Sequence, residues 1–281
     1  MEFQKSVTDV IRERKSCRTF LKKEIEPDNV RKLEAFISDT NSSIDIKARF
    51  LLATRKIEDN NKTEKLGTYG FISGAKSFIV GILDKEEKKA EYFGYNFEKI
   101  VLFATDLGLG TCWLAGTFSR SDLEKKLDLV RGEFIPVLSP VGYPKSRRRI
   151  LDSMVRTMAK SDSRKHWNSI FFDASIKTPL AKSSLGNYET ALEMVRIAPS
   201  ASNKQPWRII RDDNGYNFYI FRTKGYGLRS FDVQRNDLGI AMCHFELTLK
   251  ELKLNGEWRN IKKNRQSDEL EYAATWVSSE K

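Results

Sequence analysis

The chain has 281 residues, enough for one large domain or two of ordinary size, and 40% apolar with 11% aromatic content excludes a disordered chain. Its 49 basic against 38 acidic residues give a net charge of +11, which suits a lysine-rich soluble surface or an anionic partner: nucleic acid, a membrane surface or a phosphorylated cofactor. Cys17, Cys112 and Cys243 form no CxxC or even-numbered framework, the first residues lack an apolar signal region, and no run approaches ~18 apolar residues, so a reduced cytoplasmic setting without a membrane span is expected.

Val7, Val10 and Ile11 recur at helical spacing and lead into Arg14. Pro27 opens a second helix with Val30, Leu33, Phe36 and Ile37 on one face. "RFLLATR" (49–55) and "SFIVGIL" (77–83) read as strands, the second apolar enough to be central. Phe97, Ile100, Val101, Ala104 and Leu107 mark an amphipathic helix, which the glycines of "DLGLGTCWLAG" end. Ser121 and Glu124 form a capping-box pattern for a short helix. "FIPVLSPVGYP" (134–144) is a strand running into a loop, and 145–186 read as a connector with one apolar island, "HWNSIFF".

Tyr188, Ala191, Leu192 and Val195 predict a helix that ends by Pro199. "WRIIRDDNGYNFYIF" predicts two strands around Asn214-Gly215, a hairpin signal. Leu238, Ala241, Met242, Phe245, Leu249 and Leu252 predict another amphipathic helix, and "ELEYAATWV" alternates like a strand. The two long helices can be superposed: Gly94 with Gly239, Leu102 with Leu247, Leu107 with Leu252, Leu109 with Leu254, Trp113 with Trp258, every pair 145 residues apart. That period is too long for a solenoid and points to a duplicated domain, one chain imitating a two-fold dimer.

The histidines, His166 and His244, have no cysteine or carboxylate at a metal-ligand spacing, and His244 is expected to be a packed or rim histidine. There is no GxSxG and no Walker A, and "GLG" at 108–110 follows a helix where a dinucleotide fingerprint would follow a strand. A cofactor would therefore carry any chemistry. Two stretches stand out. In "RERKSCRTF" (12–20), Arg14, Lys15, Ser16 and Arg18 gather two guanidiniums, an ammonium and a hydroxyl, a set suited to a phosphate and a carbonyl-rich ring, although a short basic run is also an ordinary solvated surface. In "APSASNKQPW" (198–207), Ser200 and Asn203 place short polar groups on a tight turn that is otherwise ordinary helix-to-strand chemistry.

These stretches resemble the FMN-dependent nitroreductases. The matching pieces are "RKSCRTF" (14–20), "DLGLGTCWLAG" (106–116), "VGYPKSRRR" (141–149) and "APSASNKQPW" (198–207). The order departs from the family's. The serine–asparagine element should follow the arm within the same half, yet residues 34–50 lack it, and the second half has no R-x-S-x-R. Members are two-fold dimers whose flavins lie at the subunit interface, so a duplicated chain needs one arm and one turn. The resemblance implies an α+β nitroreductase-like fold of two tandem half-domains, 1–160 supplying the arm and 161–281 the turn, each with a mainly antiparallel sheet packed by helices. Together they would form an intrachain pseudo-dimer, a monomer with one FMN per chain and a dead second site.

By resemblance, Arg14, Lys15 and Ser16 serve the phosphate and ribityl end, joined by one of Arg147, Arg148 or Arg149. Arg18 faces the pyrimidine edge, where reduction places negative charge. Backbone groups of Leu114, Ala115 and Gly116 approach N5, and Pro199, Ser200, Ala201 and Asn203 contact the flavin from across the seam. Trp113 and Trp207 are expected in the core. The implied activity is hydride transfer from NAD(P)H through flavin N5 to a small-molecule acceptor, nitroaromatic or quinone, with neither nucleic acid nor membrane as partner. A flavin-binding protein without turnover, or a relative with other flavin chemistry such as dehalogenation, is the alternative.

Overall fold

The structure, a computed structural model, describes residues 2–54, 72–116, 118, 123–125, 127–145, 163–261 and 269–279. The first half contains α1 (Val7–Glu13), α2 (Pro27–Ser43), β1 (Ala48–Thr54), β2 (Ser77–Asp84), α3 (Ala90–Asp106), β3 (Gly110–Thr111) and β4 (Glu133–Gly142). After β5 (Phe171–Asp173) come α4 (Tyr188–Arg196), β6 (Trp207–Asp212), β7 (Gly215–Phe221), α5 (Val233–Glu251), β8 (Gly256–Arg259) and β9 (Leu270–Ser278).

The duplication is written in the topology. The sequence helix–strand–strand–helix–strand–strand runs once through α2 to β4 and again through α4 to β9. The first sheet has the order β1-β2-β4-β3, and the second β6-β7-β9-β8 with β5 added beside β6. Corresponding strands occupy corresponding places, and all neighbours are antiparallel except β5, which runs parallel to β6. The fold is thus α+β with two helix-packed sheets. The expected division between residues 160 and 161 and the Ser121 cap lie outside the described residues.

Two local readings are corrected. The island in 145–186 contributes β5, because burying Phe171 and Phe172 against β6 recovers more than an exposed connector would. The hairpin places Gly215 inside β7, opposite Asp212, so the turn residues are Asp213 and Asn214. Glycine is needed at 215 because φ is +123° and a Cβ would collide with the backbone carbonyl of Trp276 on β9.

The long helices are less amphipathic than their apolar spacing predicts. α3 and α5 are buried almost all round, since each packs on its own sheet and on the other helix. Their crossing is reciprocal. A Cβ on Gly94 would strike the carbonyl of Asn236, and one on Gly239 would strike that of Glu91, the residue 145 positions before Asn236. This is the isologous contact of a two-fold interface, realised within one chain. Around it Val10, Ile11, Leu102, Met194, Cys243 and Leu247 form an apolar seam between α1, α3, α4 and α5. Among the described residues no helix is long and apolar enough to cross a membrane.

Candidate functional site

At this seam a cavity of about 470 Å³ opens, lined from both halves. The first half contributes Arg12, Arg14, Lys15, Ser16, Arg18, Trp113 and Ala115, and the second contributes Arg164, the turn 199–203 and the first turns of α5. The sequence places the two stretches almost two hundred residues apart, and the duplicated fold closes them onto each other.

Why the arm lies there follows from its backbone. Ser6 caps α1 by accepting from Asp9 N, and the helix stops at Arg14. Beyond it the chain is extended and tied down on both sides. Cys17 N donates to Thr111 O at 2.7 Å, Ser73 N to Arg18 O at 2.9 Å, Phe20 N to Ser73 O at 2.8 Å and Lys145 N to Thr19 O at 3.0 Å. Alternation in an extended strand turns Cys17 and Thr19 inward and leaves Ser16 and Arg18 on the cavity side.

The opposing turn is strained. Ser202, Asn203 and Gln205 all have positive φ, at 47°, 54° and 48°, in a region where side chains are unfavourable. Specific hydrogen bonds hold it. Gln205 N donates to Ser200 Oγ at 2.8 Å, and Gln205 Nε2 donates to Asn203 Oδ1 at 3.0 Å. Asn203 Nδ2 donates to Ser163 O at 2.8 Å, and Arg164 Nη1 donates to Asn203 Oδ1 at 3.2 Å. Ala201 N donates to both carboxyl oxygens of Asp237 at 3.0–3.1 Å. The polar side chains of "APSASNKQPW" therefore fix the loop's own shape, which is why an apparently simple turn carries so much chemistry.

The electrostatics are one-sided. Five basic side chains, Arg12, Arg14, Lys15, Arg18 and Arg164, line the cavity with one acid, Asp237. Burial pushes the Asp237 carboxyl well above its usual range, only partly opposed by the Ala201 N–H. The cavity thus favours an anion. Asn236 also lines it, while its Oδ1, without a hydrogen-bond partner among the described residues, is buried against Gly94 at the helix crossing.

Behind the cavity lies a buried pair joining the halves. His244 Nδ1 is 3.0 Å from the carbonyl of Met194, which can only accept, so Nδ1 carries a proton. His244 Nε2 is 2.9 Å from Glu98 Oε1, so a second proton lies between ring and carboxyl. Glu98 Oε2 accepts from Trp113 Nε1 at 2.6 Å, and Arg14 Nε stands 3.8 Å from Oε1. Glu98 thereby anchors two cavity-lining residues, and His244 anchors Glu98 from the opposite half. His244 is the packed histidine the sequence predicts.

Of the residues singled out in sequence, Arg14, Lys15, Ser16, Arg18, Ala115, Pro199, Ser200, Ala201 and Asn203 share the cavity wall. Leu114 and Gly116 do not line it, and the N–H and C=O of Leu114 are paired with Leu138. Arg147, Arg148 and Arg149 lie outside the described residues. Trp207 is fully buried as expected, whereas Trp113 packs on Phe97 with centroids 4.6 Å apart and also reaches the cavity. Sequence reading missed Arg12, Arg164, Asn236, Asp237 and Glu98. Helical spacing offered one signal: Asp237 and Glu98 interrupt apolar helix faces.

A family model described as "Putative TM nitroreductase" matches residues 6–249. A crystal structure of a putative nitroreductase from Thermotoga maritima is similar over 99% of this chain and 95% of that one, at 19% identity and a TM-score of 0.58, a likeness of fold alone. A nitroreductase family protein from Clostridium novyi is 24% identical over 54% of this chain and 92% of that one, with a TM-score of 0.39. A putative nitroreductase from Desulfovibrio desulfuricans, in complex with FMN, is 23% identical over 54% of this chain and 95% of that one, with a TM-score of 0.40. None of the curated proteins compared matches the chain.

Proposed function

The chain belongs to the TM nitroreductase family, and from that premise we propose that it is an FMN-dependent oxidoreductase with one composite cofactor site at the seam of its two halves. One observation carries the reading: a cavity built from both halves, with five cations against a single carboxyl that burial keeps from ionising readily.

The residues fit the cofactor. The volume of about 470 Å³ lies within the roughly 300–1,000 Å³ usual for small-molecule sites. The arm supplies fork-shaped and point cations for a phosphate dianion. Ala115, Pro199 and Ala201 are compact enough to let a planar ring approach. Bound FMN would supply hydride transfer from NAD(P)H to a nitroaromatic or quinone acceptor.

The protein's part is to bind and to orient. Arg14, Lys15 and Ser16 hold the phosphate end, with Arg164 in place to add charge, and Arg18 serves the ring's carbonyl edge. Pro199, Ser200, Ala201 and Asn203 form the opposing wall, kept in place by Asp237. The related position on the other side of the seam lacks this equipment. Where α4 gives way to the strained turn, α2 continues to Ser43 and reaches β1 after four residues. Residues 159–163, 145 positions after Arg14–Arg18, read Ala-Lys-Ser-Asp-Ser and lack both arginines, and Tyr92 stands 145 positions before Asp237.

Arg18→Ala tests the reading. Losing a charge-assisted contact of about 1.5–3 kcal/mol weakens FMN binding roughly 10- to 100-fold. Fluorescence titration of the flavin-stripped protein measures it, and an unchanged dissociation constant contradicts the role of Arg18. A protein that binds FMN but never oxidises NAD(P)H would instead be a flavin carrier.

A further inference from the structure

A second cavity, of about 440 Å³, lies where the stretches entering α3 and α5 meet. Its lining takes Leu83, Lys85, Glu87, Lys88, Ala90 and Phe134 from one half and Arg222, residues 226–233 and Arg235 from the other. Residues 83–90 and 228–235 are the same stretch of the repeat, offset by 145, so the cavity sits at the local two-fold axis.

Five cations line it: Lys85, Lys88, Arg222, Arg229 and Arg235. The two acids in the wall are already engaged. Glu87 accepts from the backbone N–H groups of Lys47, Lys88 and Lys89, and Asp232 caps α5 while taking both Arg222 terminal nitrogens at 2.7–3.0 Å. Arg235 is matched by Glu91 and Glu271. Lys85, Lys88 and Arg229 make no ion pair among the described residues and are exposed. Uncompensated positive charge therefore converges from both halves on one concave surface.

That surface adjoins the first cavity. Val233 lines both, Leu228 lies against Gly116, next to the cavity-lining Ala115, and Tyr226 Oη is 2.9 Å from Ser202 Oγ of the strained turn. A ligand reacting in the first cavity and carrying phosphates at its far end would find its charge matched next door.

We propose that this second cavity binds the phosphate-bearing adenosine half of the NAD(P)H reductant, with Lys85, Lys88 and Arg229 as its charge contacts. The assignment rests on the reductase reading above for the identity of the ligand, and on the charge and continuity of the two cavities for its place. The residues concerned touch neither the flavin wall nor the buried core, so the site would set reductant affinity and leave the reaction itself to the first cavity.

The test compares the FMN-loaded wild type with Lys88→Glu/Arg229→Glu, both surface changes that leave folding intact. Steady-state kinetics use a quinone acceptor with NADPH, NADH or reduced nicotinamide mononucleotide, which lacks the adenosine half. The proposal expects KM for NADPH and NADH to rise about tenfold, given two reversed surface charges, while KM for the mononucleotide stays unchanged. Calorimetric titration with ADP-ribose gives a readout independent of turnover, with binding to wild type and about tenfold weaker binding to the variant. Equal shifts for dinucleotide and mononucleotide, no shift for either, or no ADP-ribose binding by wild type overturns it. If wild type binds ADP-ribose in a Lys88- and Arg229-dependent way yet oxidises no reductant, the anion site stands and the reductase reading falls.

Discussion

At the residue scale, the site is set by two buried acids that face inward. Asp237 holds the strained turn through Ala201 N, and burial raises its carboxyl well above 3.8. A raised acid keeps its proton in the folded state after the unfolded chain has lost it. Its contribution to stability is fully present below about pH 4 and is lost as pH rises through the folded-state value. Asp237→Asn removes that dependence while keeping one acceptor for Ala201 N. Urea midpoints should therefore show the variant gaining on wild type as pH rises from 4 to 7, and a difference constant with pH would contradict the assignment. Glu98 has a different task, since it accepts from Trp113 and is hydrogen-bonded to His244. Glu98→Ala leaves both groups buried without this partner and should cost about 3–5 kcal/mol in denaturant unfolding. A loss below 1 kcal/mol would mean that the pair is not what joins the halves there.

At the element scale, the α3–α5 crossing is the hinge of the account. Its closeness depends on Gly94 and Gly239, each facing a backbone carbonyl that cannot swing aside. Gly239→Ala should cost about 1–3 kcal/mol or more by overpacking and weaken FMN retention, because both cavity walls move with the seam. Gly108→Ala is the matched control. Its φ is +75° with open space around it, so it should cost about 1–2 kcal/mol of strain and leave flavin affinity unchanged. Thermal melts and flavin titration of both variants check this, and equal flavin loss would contradict it. The elements themselves were largely legible: the spacing of Phe97, Ile100, Val101, Ala104 and Leu107 and the alternation of "ELEYAATWV" each led to the right element. β5 was not, because three residues are too few to show a period, and its parallel partner Ile209–Arg211 is distant in sequence. The partners of Glu98 were also hidden: its place on an apolar helix face is visible in the sequence, but Trp113 and His244 meet it only once the second long helix packs on the first.

At the scale of the whole molecule, the equal spacing of Gly94/Gly239 and Trp113/Trp258 carried the duplication, and the two sheets repeat the same strand order. The arm and the turn were found from sequence because their chemistry is local. Arg164 and Asn236 were not, because nothing near them in the chain marks a site; only the closing of one half on the other does. The reading of a single site follows from asymmetry within that symmetry: one half keeps the cationic arm and the other keeps the strained loop. The most direct measurement is flavin released per polypeptide, by absorbance after denaturation, from protein reconstituted with excess FMN and sized by light scattering. The account predicts one FMN per chain on a particle of one chain's mass. Two FMN per chain, or binding that requires a particle of two chains, would contradict it.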